Sequence, residues 1–185
     1  KVFTNGSLDR TYRSEYIYAN NLISRVDNYD NDGALTSKED FEYDSQGRLT
    51  TYEYCYDPNN GCGEEEYSTY TYNSNGSITE QGYYNNSLEW VTTFQLDNNG
   101  NIISYNHEDV EYDCVASATI TLDDYHAPFK NVAGASAILM TQWIFSNATL
   151  IGYNNNVTIW DAEDCDGEYD YNFTYDYNDA GYPRN

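Results

Sequence analysis

Apolar positions recur every second residue along most of the chain. Tyr52, Tyr54 and Tyr56 fall on one side of an extended segment, and Thr51, Glu53 and Cys55 on the other. Trp90, Thr92, Phe94 and Leu96 make a second row. Tyr169, Tyr171, Phe173, Tyr175 and Tyr177 alternate with Asp170, Asn172, Thr174 and Asp176. A period of two with one aromatic and one polar face predicts antiparallel β-strands with one side wet.

The turns between these strands repeat. Tyr29-Asp-Asn-Asp-Gly33-Ala-Leu-Thr36 matches Tyr43-Asp-Ser-Gln-Gly47-Arg-Leu-Thr50 and Tyr72-Asn-Ser-Asn-Gly76-Ser-Ile-Thr79. Leu96-Asp-Asn-Asn-Gly100-Asn-Ile-Ile103 is a fourth copy, and weaker ones centre on Gly6, Asn21, Gly61 and Asn86. The four clear copies pair Asx with a Gly that takes the positive φ other residues resist. Turns near 6, 21, 33, 47, 61, 76, 86 and 100 leave room for one strand each, so every strand pairs with the next.

The predicted fold is all-β: a single antiparallel meander sheet in one domain, residues 1–185. Within it, 1–125 holds the hairpin repeats, 126–155 a loop plus an apolar covering segment, and 156–185 the final hairpin. An aromatic sheet face must be covered. The extended apolar stretch from Val132 to Ile151 is the predicted cover, starting as a short helix, with the sheet curled around it. The last strands are expected at 156–160 and 168–177, joined by an acidic turn around Cys165.

Charge narrows the partners. The chain has 31 acidic and 8 basic residues, a net charge of -23. Residues 1–48 hold 9 acids and 6 bases (-3), and residues 49–185 hold 22 acids and 2 bases (-20). Nucleic acid needs the opposite sign, and an anionic membrane surface repels this chain as well. The plain use of the charge is solubility; the sharper use is binding divalent cations or a basic partner. No apolar run reaches the length of a membrane-spanning helix. The chain opens on Lys1-Val2-Phe3, already strand-like, so an export or anchoring segment is expected upstream.

The four cysteines are even in number in a short, loop-rich chain, which points to two disulfides and an oxidising compartment. Cys55 and Cys62 flank a Tyr-Asp-Pro-Asn-Asn-Gly turn and are expected to pair, leaving Cys114 with Cys165. No C-x-x-C spacing favours zinc.

Asn28, Asp30, Asp32 and Glu39 carry the spacing of a calcium loop, D/N-x-D-x-D-G-x5-E. Calcium is the one cofactor for which the sequence offers a place. No helical pattern flanks the segment, and the next repeat aligns with it as an ordinary turn, so a hairpin turn is the preferred reading. The acidic Asp161–Asp166 stretch is likewise read as a solvated turn. Neither His107 nor His126 lies near a recognisable nucleophile turn, no phosphate loop appears, and the chain is read as non-enzymatic.

At the Tyr-Asp-x-x-Gly-x-Leu-Thr repeats the chain resembles the tyrosine–aspartate hairpin repeats of Rhs-type surface proteins. Asp124-Tyr-His-Ala-Pro-Phe-Lys-Asn131, Asn155-Asn-Val-Thr158 and Phe173-Thr-Tyr-Asp-Tyr-Asn-Asp-Ala-Gly-Tyr-Pro183 extend the resemblance to uncharacterised surface lipoproteins of Bacteroidetes, especially flavobacteria. It implies export and lipid anchoring at the outer membrane or cell surface, and no activity. The four cysteines and the missing lipobox cysteine depart from that pattern. Two functions are therefore expected in turn: an interaction module or accessory subunit with a protein partner in the envelope, or a glycan-binding surface protein. Trp90, Trp143 and Trp160 are the ring candidates for the second.

Overall fold

The structure is a computed structural model. It describes residues 13–62, 66–128, 130–132, 140–141 and 154–184, and the backbone of 2–4 and 7–10. The described strands are β1 (Val2–Thr4), β2 (Ser7–Arg10), β3 (Arg13–Ala19), β4 (Leu22–Tyr29), β5 (Leu35–Tyr43), β6 (Leu49–Cys55) and β7 (Glu66–Tyr72). They continue with β8 (Ile78–Tyr84), β9 (Ser87–Leu96), β10 (Ile102–Asp109), β11 (Cys114–Leu122), β12 (Val157–Asp164) and β13 (Gly167–Asn172). β1 and β2 form a separate hairpin, while β3 to β13 make one 11-stranded sheet in unbroken chain order. The predicted antiparallel meander is therefore the fold, and β3 and β13 are its two end strands.

The chain gathers into two compact units, residues 1–69 with 82–87, and residues 70–81 with 88–185. Ile23, Val26, Phe41 and Leu49 are buried in the first; Phe94, Ile102, Tyr105, Ile120, Val157 and Trp160 are buried in the second. Full burial of one such side chain stabilises by about 1.5–3 kcal/mol. Both units are thus held by large side chains drawn from alternate strand positions.

Two kinds of turn follow from local sequence. Asn20 and Asn21, and again Asn85 and Asn86, have positive φ at both positions. A two-residue type I′ turn demands this, and Asn tolerates it. The Asx-x-x-Gly turns are different and nearly identical to one another. In each, the Asx N–H donates to the carbonyl four residues on, and the Gly N–H donates back to the Asx carbonyl. Asp30, Asp44 and Asp97 also accept two backbone N–H groups on Oδ1, from the residues two and four positions ahead. Gly33, Gly47, Gly76 and Gly100 sit at φ between 77 and 88.

The Thr that follows the Gly33 and Gly47 turns has a job of its own. The residue two after Gly pairs with the residue before Asx: Leu35 with Tyr29, Leu49 with Tyr43. The next residue is squeezed out as a bulge. Thr36 Oγ1 then donates to the Asn28 carbonyl (3.0 Å) and Thr50 Oγ1 to the Glu42 carbonyl (3.2 Å). Ser24 and Thr158 bond the Ile17 and Thr121 carbonyls in the same way beside the bulges of β3–β4 and β11–β12. A bulge leaves ladder groups unpaired, and the hydroxyl supplies a missing partner.

The end of the chain departs from expectation. β12 runs through Asp164, into the stretch read as an acidic turn, because Ala162 and Glu163 pair with Ala118 and Ser117. The turn is only Cys165–Asp166, closed by Asp164 Oδ1 on the N–H groups of Asp166 and Gly167. β13 stops at Asn172 rather than Tyr177. Beyond it, Asn178 builds a fifth Asx turn: its N–H donates to the Tyr182 carbonyl, and its Oδ1 accepts from Ala180 and Tyr182. The expected apolar cover, Val132 to Ile151, lies mostly outside the described residues; of what is described there, Met140 is buried and Val132 is exposed.

Candidate interaction surfaces

The disulfides are Cys55–Cys62 and Cys114–Cys165. The first closes the loop after β6 around a 3-10 turn, Pro58–Asn60; the second ties the start of β11 to the β12–β13 turn.

The calcium-spaced residues divide into two groups. Asp30 is the turn acceptor described above, and Asp32 lies exposed in the same loop. Asn28 and Glu39 come together on the sheet, with Asn28 Nδ2 donating to Ser37 Oγ (3.2 Å) and Glu39 Oε1 (3.1 Å). Glu39 Oε2 accepts from the Tyr52 hydroxyl at 3.4 Å. Burial pushes the Glu39 carboxyl above the usual range, against the pull of those two hydrogen bonds. Among the described residues no three acidic, histidine or cysteine side chains converge as metal ligands.

Around Glu39 the strands place tyrosines and carboxylates in register. Glu39 of β5 is opposite Tyr54 of β6, which is opposite Glu66 of β7. Tyr52 lies one row along, its ring 5.4 Å from that of Phe41. Tyr56 follows β6 and folds beside Tyr54, centroids 4.3 Å apart and edge to face. Its hydroxyl donates to Glu66 Oε2 at 3.1 Å, and partial burial together with that carboxylate pushes its pKa up to about 12. The opposite face of β4 and β5 carries ion pairs, in which Arg25 meets Asp27 (2.7 Å) and Lys38 meets Asp40 (3.0 Å).

Residues 123–126, 154–156 and 177–181 meet with Asp97 and Asn101 in one clamp. Asn101 is fully buried; its Nδ2 donates to Asp97 Oδ2 (2.9 Å) and Asn155 Oδ1 (3.0 Å), and its Oδ1 accepts from the Asn154 N–H (2.8 Å). Burial raises the Asp97 carboxyl, but the Asn101 amide and the turn N–H groups outweigh it and hold it below the usual range. Asn156 Nδ2 donates to Asp123 and to the His126 carbonyl. The Tyr177 hydroxyl donates to Asp123 Oδ2, and its ring stacks on Tyr125 at 4.0 Å. Gly181 closes the clamp with φ 78, where an added Cβ would reach 3.5 Å from the Tyr125 ring. Nothing in the residue types of Asn101 or Asn156 separates them from the chain's many surface asparagines.

The tryptophans form no shared platform among the described residues. Trp160 is buried against Tyr171 (5.5 Å) and Tyr105, Trp90 is half-buried on β9, and Trp143 lies outside the described residues. His107 is hydrogen-bonded to buried Thr92 at 2.9 Å, and burial lowers its pKa.

The end strands differ. All seven residues of β3 are exposed, with Tyr16 at 52%, Ile17 at 41% and Tyr18 at 51%. Its Arg13 and Glu15 neutralise each other at 3.0 Å. β13 is also exposed but carries Glu168 and Asp170 with no base. No helix among the described residues is long and apolar enough to cross a membrane.

No family model matches the chain, and no curated protein matches it. Among solved structures it is similar to a porin-like protein from Bacteroides uniformis, at 15% identity and a TM-score of 0.43, over 98% of this chain and 72% of that one.

Proposed function

We propose that this is a non-enzymatic, exported cell-envelope protein that works as an interaction module, an accessory subunit docked on another envelope protein. The observation that carries the reading is β3. It is an end strand with one hydrogen-bonded neighbour among the described residues, exposed along its length. Natural sheets blunt such edges with Lys, Pro or inward charges. β3 instead presents Tyr-Ile-Tyr beside a neutralised ion pair, which fits strand addition by a partner chain. β13 repels acidic strands through Glu168 and Asp170. Two disulfides suit an oxidising compartment outside the cytosol.

The test is affinity capture from detergent-solubilised native envelopes, with mass spectrometry of the retained proteins. The wild-type chain retains a stoichiometric envelope protein, and the Tyr16→Lys/Tyr18→Lys variant loses it. Retention of the same protein by both would move docking away from β3; recovery of the chain alone would remove the proposal.

A further inference from the structure

The row formed by Tyr54 and Tyr56 between Glu39 and Glu66 has the composition of a sugar site, and it lies apart from the β3 edge. We propose that this row is a binding site for a neutral polysaccharide.

Tyr56 is the exposed ring of the set, at 54%, with Tyr54 half-exposed beneath it. The C–H faces of a pyranose pack against such rings, and its hydroxyls need acceptors placed at the ring edge. Glu66 supplies one. Among the described residues it accepts only the Tyr56 hydroxyl, through Oε2, which leaves Oε1 for a ligand hydroxyl. Glu39 has both oxygens occupied by Asn28 and Tyr52, so it fixes the row rather than contacting ligand. One strand separates Glu39 from Glu66, so their backbones stand about 10 Å apart, with Tyr54 between them.

The site is built before any ligand arrives. Cys55, bonded to Cys62, immediately precedes Tyr56. The Asp57 carbonyl accepts the N–H groups of Asn60 and Cys62, and Asn59 Nδ2 ties the loop to the Leu35 carbonyl at 2.8 Å. A tyrosine held this way loses little freedom on binding.

Charge selects the ligand class. An overall charge of -23 and the Glu66 carboxylate oppose uronic or sulfated glycans. A basic peptide would match the charge, but a single carboxylate oxygen without a partner among the described residues suits a hydroxyl better than a run of cations.

Affinity electrophoresis of the full chain in gels containing laminarin, xylan, dextran, soluble starch or polygalacturonate tests this. At least one neutral polysaccharide retards the protein. Tyr56→Ala weakens that retardation at least tenfold and Glu66→Gln several-fold, with the far-ultraviolet circular dichroism of both unchanged. Polygalacturonate does not retard it. The proposal is overturned if no neutral probe retards the protein, if Tyr56→Ala binds like wild type, or if polygalacturonate binds as well. It is also overturned if only polylysine, run in parallel, binds through Tyr56. Failure here leaves the β3 reading intact, because that test reads a different strand.

Discussion

Replacing Asn101 with Ala tests the C-terminal clamp at its most buried polar group. Its side chain is 0% exposed and makes three hydrogen bonds, to Asp97 Oδ2, Asn155 Oδ1 and the Asn154 N–H. The variant strands two neutral partners and one carboxylate oxygen. At about 1 kcal/mol for each neutral bond and about 2 kcal/mol for the charged one, the loss is about 4 kcal/mol. For a chain of this size that lowers the melting temperature by roughly 8–16 °C. The assay is urea unfolding with the disulfides intact, followed by circular dichroism, together with native-state hydrogen exchange at the Asn154 amide. Asn99, exposed in the same turn, uses only its backbone, so Asn99→Ala should stay within about 0.5 kcal/mol of wild type. A loss below about 1 kcal/mol for Asn101→Ala, or exchange at Asn154 no faster than before, would refute the clamp.

Other expectations can be checked on the same material. Thr50→Val removes the hydroxyl that satisfies the Glu42 carbonyl beside a bulge and should cost about 1 kcal/mol in urea unfolding, against almost nothing for a bulge merely tolerated. The Cys114–Cys165 loop spans 51 residues and the Cys55–Cys62 loop 7. Chain entropy assigns them about 4 and about 2.4 kcal/mol, so the Ser pair at 114 and 165 should lower stability more. His107 has a folded pKa lowered by burial, so its contribution is present above the unfolded value near 6.5 and lost as pH falls through the folded one. Stability measured from pH 7 to pH 5 should fall less steeply in His107→Gln. Glu39 shows the opposite sign. Its raised folded pKa makes stability decline as pH rises through the carboxylate range, and Glu39→Gln should flatten that decline.

The turns were legible because their chemistry is local. Gly33, Gly47, Gly76 and Gly100 follow Asx by three residues, and each takes the positive φ expected of it. The Thr after three of the four turns was legible as a repeat, though the hydroxyl's donation to a carbonyl beside a bulge, seen for Thr36 and Thr50, needs the pairing register. The fifth turn lies just beyond the strand expected at 168–177 and is an incomplete copy of the repeat. Tyr177-Asn-Asp-Ala-Gly181 fits the first five positions of the repeat, but Pro183 and Arg184 stand where Leu and Thr do. The alternation of Tyr169 to Tyr177 continues past the end of β13 at Asn172, so periodicity alone does not mark where the strand stops. The clamp was not legible at all. Asn101 occupies a repeat position that Arg48 and Ala34 also fill, and two of its three partners, Asn154 and Asn155, lie more than 50 residues away. Alternation likewise says which residues share a face, while depth in the sheet decides that Trp160 is buried and Tyr56 exposed.

The central claim, docking through β3, is tested most directly by placing a photocrosslinking phenylalanine analogue at Tyr18 and irradiating intact cells. Tyr112, exposed at 74% in the β10–β11 turn, is the control position. The account predicts one discrete crosslinked envelope protein from position 18 and none from position 112. No discrete product at 18, or the same product from both positions, would contradict it.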